Sequence, residues 1–276
     1  MVSPFTLPPT GFGPGSQPDP EGELQYMSMP SGMRTYSAHV PEVTDPAVAA
    51  PVLALLEDMA RACARTKTGT VAEFDLSGLS PAQRALMADT LGTGEVAMKI
   101  RGIPALSVQE SVFAGVWSVA GMGHDRVEVG PVPQAALSRA HIPHRPALLI
   151  AAPKPGALAN GPAILTELLD RSARWQPGDE AHVINLSLLP HTEADLAWLA
   201  EALGEGATTI LSRGYGNVRV TATALARVWR VQFFNSMDTQ ILDTFEVTDM
   251  PMVAAAAAED FDDSEARILD VLKVIA

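Results

Sequence analysis

The side chains best equipped for chemistry gather in one stretch, "ILSRGYGNVRVTATALARVWRVQFFNS", from Ile210 to Ser236. It holds Arg213, Tyr215, Asn217, Arg219, Arg227, Arg230, Gln232, Phe234 and Asn235, with Asp238 just beyond, in a segment that otherwise alternates like β-strands. On "VWRVQFFN", Arg230, Gln232 and Phe234 fall on one face of a strand and Trp229, Val231 and Phe233 on the other. Arginine offers paired donors to carboxylates, and Tyr, Trp and Phe supply contact area, so the ten residues read as a peptide- or anion-binding strip. Two plainer readings stand beside it: a solvated sheet face shielded by arginines, and, for "RGYGN", a turn that needs glycine at positive φ.

Other chemistry is scarce. The chain has no HExxH, GxxxxGK[ST] or GxSxG, and "DFDDSEARILDV" lacks the glycine and terminal glutamate of a calcium loop. "GFGPGS" has the wrong spacing for a dinucleotide loop. His141 and His144 in "HIPH" have no cysteine or carboxylate nearby to complete a metal site and read as solvent-exposed linker residues. His182 and His191 border "INLS" and suit caps or surface contacts. Cys63, four residues after Met59, falls on an apolar helix face and reads as buried and inert; a reactive thiol needs a lowered pKa with no visible local cause. No catalytic residue, metal site or cofactor is expected.

The elements that position the strip are set by composition and by an internal repeat. The chain's 276 residues, 47% hydrophobic, can bury one large core or two small ones. No apolar run is long enough to span a membrane and "MVSPFTLPPTGFGPGSQPDPEGE" is no secretory signal, so stable membrane insertion is not expected and a cytoplasmic location is. A single cysteine excludes an internal disulfide, and a net charge of −13 argues against nucleic acid as partner. Such a chain suits a cationic partner or solvent.

"LGTGEVAMKIRG" at Leu91 to Gly102 matches "LGEGATTILSRG" at Leu203 to Gly214, an offset of 112 residues that also carries Val116-Trp117 onto Val228-Trp229. "FDLS" at Phe74 answers "INLS" at Ile184, and "VEVGPVP" at Val127 answers "FEVTDMP" at Phe245. Each copy has a capped helix, starting at Ser80-Pro81-Ala82-Gln83 or Thr192-Glu193-Ala194-Asp195 and stopping at Gly92 or Gly204. An amphipathic helix precedes each, the first capped by Asp45. The expected fold class is α+β: a tandem duplication of a helix-strand-helix-three-strand unit, forming two related sheet-and-helix lobes with helices on one face. An extended Pro/Gly-rich arm spans 1–45, the first lobe 46–140, a linker 141–160 and the second lobe 161–276. Between the copies, Tyr215, Asn217, Arg219, Arg227, Arg230 and Gln232 stand where the first has Ile103, Ala105, Ser107, Gly115, Ser118 and Ala120, so the second copy is polar where the first stays apolar or small.

The stretches "ILSRGYGNVRVTATALARVWRVQFFNSMDTQIL" and "ARWQPGDEAHVINLSLLP" resemble the C-terminal region of the HupH/HyaF (HoxQ) family of hydrogenase expression/formation proteins. "GPGSQPDPEGELQYMSMPSGMRTY" and "MKIRGIPALSVQESVFAGVWSV" are similar to the same family, so the likeness spans nearly the whole chain. The resemblance implies a non-enzymatic cytoplasmic maturation factor for nickel-iron uptake hydrogenases. Its implied partners are the precursor of the iron-sulfur small subunit, before twin-arginine export, and a thioredoxin-like hydrogenase chaperone. A second class of function, assembly or transfer of an iron-sulfur cluster on that subunit, requires ligands shared with a partner. A third, an anion- or nucleotide-binding enzyme using "SRGYGN", has no other support in the sequence.

Overall fold

The structure is a computed structural model that describes residues 45–66, 71–154, 156, 158–214 and 216–275. The chain divides into two units, and the described residues belong to the second, His39–Ala276. The N-terminal arm expected over 1–45 lies, but for its last residue, outside them.

Two runs of elements follow one another in the same order. The first is α1 (Pro46–Thr66), β1 (Ala72–Asp75), α2 (Pro81–Leu91), β2 (Val96–Ile100), β3 (Leu106–Glu110), β4 (Val116–Gly121), β5 (His124–Val129) and the short α3 (Gln134–Ser138). The second is α4 (Gly161–Arg174), β6 (His182–Asn185), α5 (Glu193–Leu203), β7 (Thr208–Ser212), β8 (Asn217–Ala222), β9 (Val228–Phe234), β10 (Gln240–Val247) and α6 (Asp260–Ile275), with a 3₁₀ turn at Met252–Ala254. Asp45 accepts from the Ala47 amide at the start of α1. Both capping boxes form: Ser80 exchanges backbone and side-chain bonds with Gln83, as Thr192 does with Asp195.

The expectation of three strands after each capped helix is corrected to four. "SVQESVFAGVWSVAG" reverses between β3 and β4, where the Ser111 hydroxyl accepts from the Phe113 amide (3.1 Å) and Gly115 takes φ 78°. The reversal is hidden in the sequence because Phe113, inside the loop, is buried in the core like a strand residue. "NVRVTATALARVWRVQFF" reverses in the same way at Thr223 to Arg227, with Arg227 at φ 62° in place of the glycine.

The ten strands form one continuous antiparallel sheet, in the order β1-β5-β4-β3-β2-β7-β8-β9-β10-β6. The two halves meet at β2 and β7, where Met98 lies opposite Ile210, Val96 opposite Ser212 and Ile100 opposite Thr208. Those three pairs are symmetric about Met98 and Ile210, the very residues that the offset of 112 brings into correspondence.

Strand alternation gives the sheet two unlike faces. One is apolar across its middle: Met98, Ile100, Val108, Trp117, Val119, Ile210, Val220, Trp229 and Val231 are buried there together with Ala135 and Ala136 of α3 and Ala254 of the 3₁₀ turn. Each buried indole is satisfied, Trp117 by the Gly130 carbonyl (2.8 Å) and Trp229 by that of Thr248 (3.1 Å). On the other face the long helices cover only the flanks. Helices α1, α2 and α6 pack on Val116, Val127 and Val129, while α4 and α5 pack on Ile184, Val228, Phe245 and Val247. The expectation of helices on one face therefore holds for the long helices, with α3 and the 3₁₀ turn on the other.

Cys63 is buried in α1 against α2 and α6, and burial together with the nearby Glu265 charge pushes its thiol up to about 12. At neutral pH roughly one thiol in 10⁵ is then ionised. A disulfide reagent should leave the native protein unlabelled and label it fully in concentrated guanidinium chloride; labelling of the folded protein at the rate of a free thiol would refute the burial.

Candidate functional site

Between the two helical flanks the sheet shows an uncovered floor. Ala97 and Lys99 on β2, Ser107 and Gln109 on β3, Ser118 and Ala120 on β4, Thr209 and Leu211 on β7, and Arg219 and Thr221 on β8 share that face by register. Lys99, Ser107, Ala120, Leu211 and Arg219 are exposed and the others partly so. Among the described residues nothing covers them. From β3 to β8 the floor is roughly 14 Å wide at ordinary strand spacing, and it continues onto Arg230, Gln232 and Phe234 of β9.

The residues of the strip fall into three groups. Arg213, Asn217, Arg219, Phe234 and Asp238 line an open cleft of about 440 Å³ at one end of β7, β8 and β9, with Leu211, Ser212 and Val218. The Arg219 guanidinium stands over the Phe234 ring, 5.5 Å from its centroid, and the Asn217 amide donates to Asp238 (3.4 Å). Arg213 and Arg219 have no carboxylate partner among the described residues. Asn235 shapes the hairpin beside the cleft, its side-chain oxygen accepting from the amides of Met237 (2.9 Å) and Thr239 (3.0 Å). The turn reading of "RGYGN" holds in one particular: Gly216 takes φ 95°. Tyr215 lies outside the described residues.

The second group is already engaged inside the protein. Arg230 donates through Nε to Asp243 Oδ1 (3.0 Å) and through a terminal nitrogen to Oδ2 (2.6 Å), and the Asp243 carboxylate is buried. Gln240 bridges that carboxylate to Gln232, donating to Asp243 (3.4 Å) and accepting from Gln232 (2.7 Å). Arg230 and Gln232, side by side as the strand alternation placed them, are thus engaged with Asp243 and Gln240, and Arg230 braces the floor. The third group is Arg227 alone, at the opposite end of β9. It stands 4.8 Å from the centre of the Trp175 ring and 3.5 Å from the Asp249 carboxylate, away from the cleft.

His141 also needs correction. Instead of standing in solvent it is partly buried, donates through Nδ1 to the Thr223 carbonyl (2.9 Å) and meets the Trp229 ring edge-on at 5.1 Å. Burial holds its pKa below the ordinary imidazole value. The linker passes close enough to the second helical flank that its residues become core contacts, as Ala152 does by accepting from the Trp198 indole (3.1 Å). His144 is exposed, and His182 pairs with Glu167 (2.8 Å). Among the described residues no group of three or more His, Cys, Asp or Glu side chains stands ready to hold a metal ion. None of their helices is long and apolar enough to cross a membrane.

Reasoning from the sequence missed the first-half floor, because Ala97, Ser107, Ser118 and Ala120 are small and carry no chemical signal; their alternation with buried Met98, Val108 and Val119 was the available clue. It also missed Asp243, whose partner lies across a hairpin with an irregular register.

The conserved C-terminal region of HupH hydrogenase expression proteins matches residues 47–141 and 158–275 of the chain. Hydrogenase expression/formation protein HupH of Rhodobacter capsulatus is 62% identical over 278 residues, covering the whole of both chains. HoxQ of Cupriavidus necator is 41% identical, over 98% of this chain and 97% of that one. Hydrogenase-1 operon protein HyaF of Escherichia coli is 29% identical, over 96% and 95%. Among solved structures, the hydrogenase expression protein HupH from Thiobacillus denitrificans is 25% identical, with a TM-score of 0.38 over 41% of this chain and 95% of that one. The chain, matched along most of its length and over both halves of its sheet, belongs to the HupH family of hydrogenase expression/formation proteins.

Proposed function

We propose that this protein is a maturation chaperone without enzymatic activity, which binds the precursor of the iron-sulfur small subunit of a nickel-iron uptake hydrogenase before twin-arginine export. The observation that carries this reading is the uncovered floor between the two helical flanks: an antiparallel sheet can leave one face to water, but here the open face is walled on both sides by helices and forms a broad trough. Its banks, α1, α2 and α6 on one side and α4 and α5 on the other, are fixed to the sheet by large apolar cores, so the surface is held open and rigid. A preorganised surface of this kind suits a client that has not finished folding, since little ordering of the chaperone opposes binding. A thioredoxin-like hydrogenase chaperone is the second partner of this reading. The shared element order and the symmetric β2–β7 register support descent of the two halves from one duplicated unit.

The test is co-expression of the tagged protein with the small-subunit precursor, with and without its leader, measuring co-purification and iron. The expected result is capture of the precursor by a protein that carries no iron when isolated. A floor variant, Ser107→Lys with Ala120→Glu, places an opposite-charge pair at directly facing exposed positions. It should keep the melting temperature and weaken capture about tenfold or more. Unchanged capture by this variant overturns the floor as the client surface, and iron on the isolated protein would favour cluster assembly instead.

A further inference from the structure

Charges on and around the floor are unevenly matched. Asp125 is paired with Arg84, Glu205 with Arg101 (2.9 Å) and Asp243 with Arg230. Lys99 and Arg219 on the floor, and Arg213 at its end, have no such partner among the described residues, although the chain as a whole carries a net charge of −13. Three cations without a carboxylate partner thus sit on or beside the uncovered surface of an acidic protein. At the cleft itself the acidic side chains are Asp238, which accepts from Asn217, and Glu95, whose carboxylate lies against Gly214.

The cleft combines these cations with an apolar wall. Leu211 and Phe234 line it together with Arg213 and Arg219, and Leu211 stands directly opposite Arg219 across β7 and β8. An arginine held over an aromatic face keeps its N–H donors for a second partner, and its planar fork matches a carboxylate. The first half of the floor offers no equivalent: where the second half has Arg219, Arg230 and Gln232, it has Ser107, Ser118 and Ala120.

The geometry points to this cleft as a carboxylate-recognising subsite, taking an Asp or Glu side chain of an acidic client segment between Arg213 and Arg219 while a neighbouring apolar side chain packs on Leu211 and Phe234. This rests on the client-binding reading of the floor and deepens it, because it assigns the sign of charge that the client presents at that end. Lys99, farther along the floor, extends the same preference.

The experiment uses the full-length protein and two sets of labelled peptides tiled over the precursor sequence, one native and one with every Asp and Glu replaced by Asn and Gln, read by fluorescence anisotropy. The expected result is binding by acidic members of the native set, lost in the neutral set and weakened about 10- to 100-fold in Arg213→Gln/Arg219→Gln. Both arginines are exposed, so the melting temperature of that variant serves as the check on folding. Arg213→Lys/Arg219→Lys should restore part of the affinity, since it returns charge without the fork. Equal binding of the two peptide sets, or unaltered binding by the glutamine variant, overturns the carboxylate subsite. If precursor capture nevertheless falls in Ser107→Lys/Ala120→Glu, the floor stands as client surface without it; if capture is unchanged there too, the floor fails as the client surface and the subsite fails with it.

Discussion

Arg230→Ala is expected to lower the stability of the folded protein by about 3 kcal/mol, a large loss for a substitution on an open face of a sheet. The reason is the partner left behind. Asp243 is buried and takes both of its strong donors from the guanidinium, so truncating Arg230 strands a carboxylate with only the long bond from Gln240. Removing the two together, in Arg230→Leu/Asp243→Leu, should recover most of the loss, because no unpaired charge then remains in the sheet. Urea denaturation of the two single variants and the double closes the cycle. An Arg230→Ala protein as stable as the parent would show that the pair carries nothing. The same result governs how binding data are read: Arg230 variants weaken the scaffold, whereas Arg213 and Arg219 variants leave it intact.

The second large effect is expected at Asp195. Its carboxylate is buried at the start of α5 and accepts from the Thr192 amide (2.9 Å), the Thr192 hydroxyl (2.9 Å), and the amides of Ala159 (3.0 Å) and Gly161 (2.9 Å). Burial alone would raise its pKa, but the bonds from Thr192, Gly161 and Ala159 outweigh it and hold the value at about 2. Because the folded value lies below the ordinary one, the stabilisation is complete above about pH 4 and is lost as the pH falls through about 2. The shift itself corresponds to about 2–3 kcal/mol, and Asp195→Ala, which also leaves buried amides unpaired, should cost about 4 kcal/mol at neutral pH. Denaturation midpoints of parent and variant should therefore converge between about pH 4 and pH 2. A gap that stays constant through that range would mean that the carboxylate is not the stabilising group. Since two of its donors lie in the segment leading into α4, Asp195 ties the passage between the halves to the second helical flank.

Features encoded within a few residues were the legible ones. The caps at Ser80 and Thr192 and the inward faces of α1, α2, α5 and α6 depend on local spacing, and they stand where that spacing puts them. The cleft was half legible for the same reason: Arg213, Asn217, Arg219, Phe234 and Asp238 all stood in the strip read from the sequence, but only the structure shows that two turns bring these five together at one end of the sheet. What could not be read depends on distant partners. Arg230 differs from Arg219 only because Asp243 faces its neighbourhood across a hairpin, and Arg227 left the strip because the residue stands in a tight reversal before β9. The missed reversal at Ser111 to Gly115 shows the converse: a loop buried in the core looks, by composition, like the middle of a long strand.

The meeting of β2 with β7 also sets a timetable for synthesis. Met98 cannot find Ile210 until 112 further residues have left the ribosome, about 6–20 s at ordinary rates of translation. During that interval the outer edge of β2 is an unpaired strand edge at the end of a half-made sheet, the kind of edge to which other chains adhere. Lys99, the fourth of the five residues of that strand, is the type of residue that keeps such an edge from recruiting a stranger before its own partner arrives.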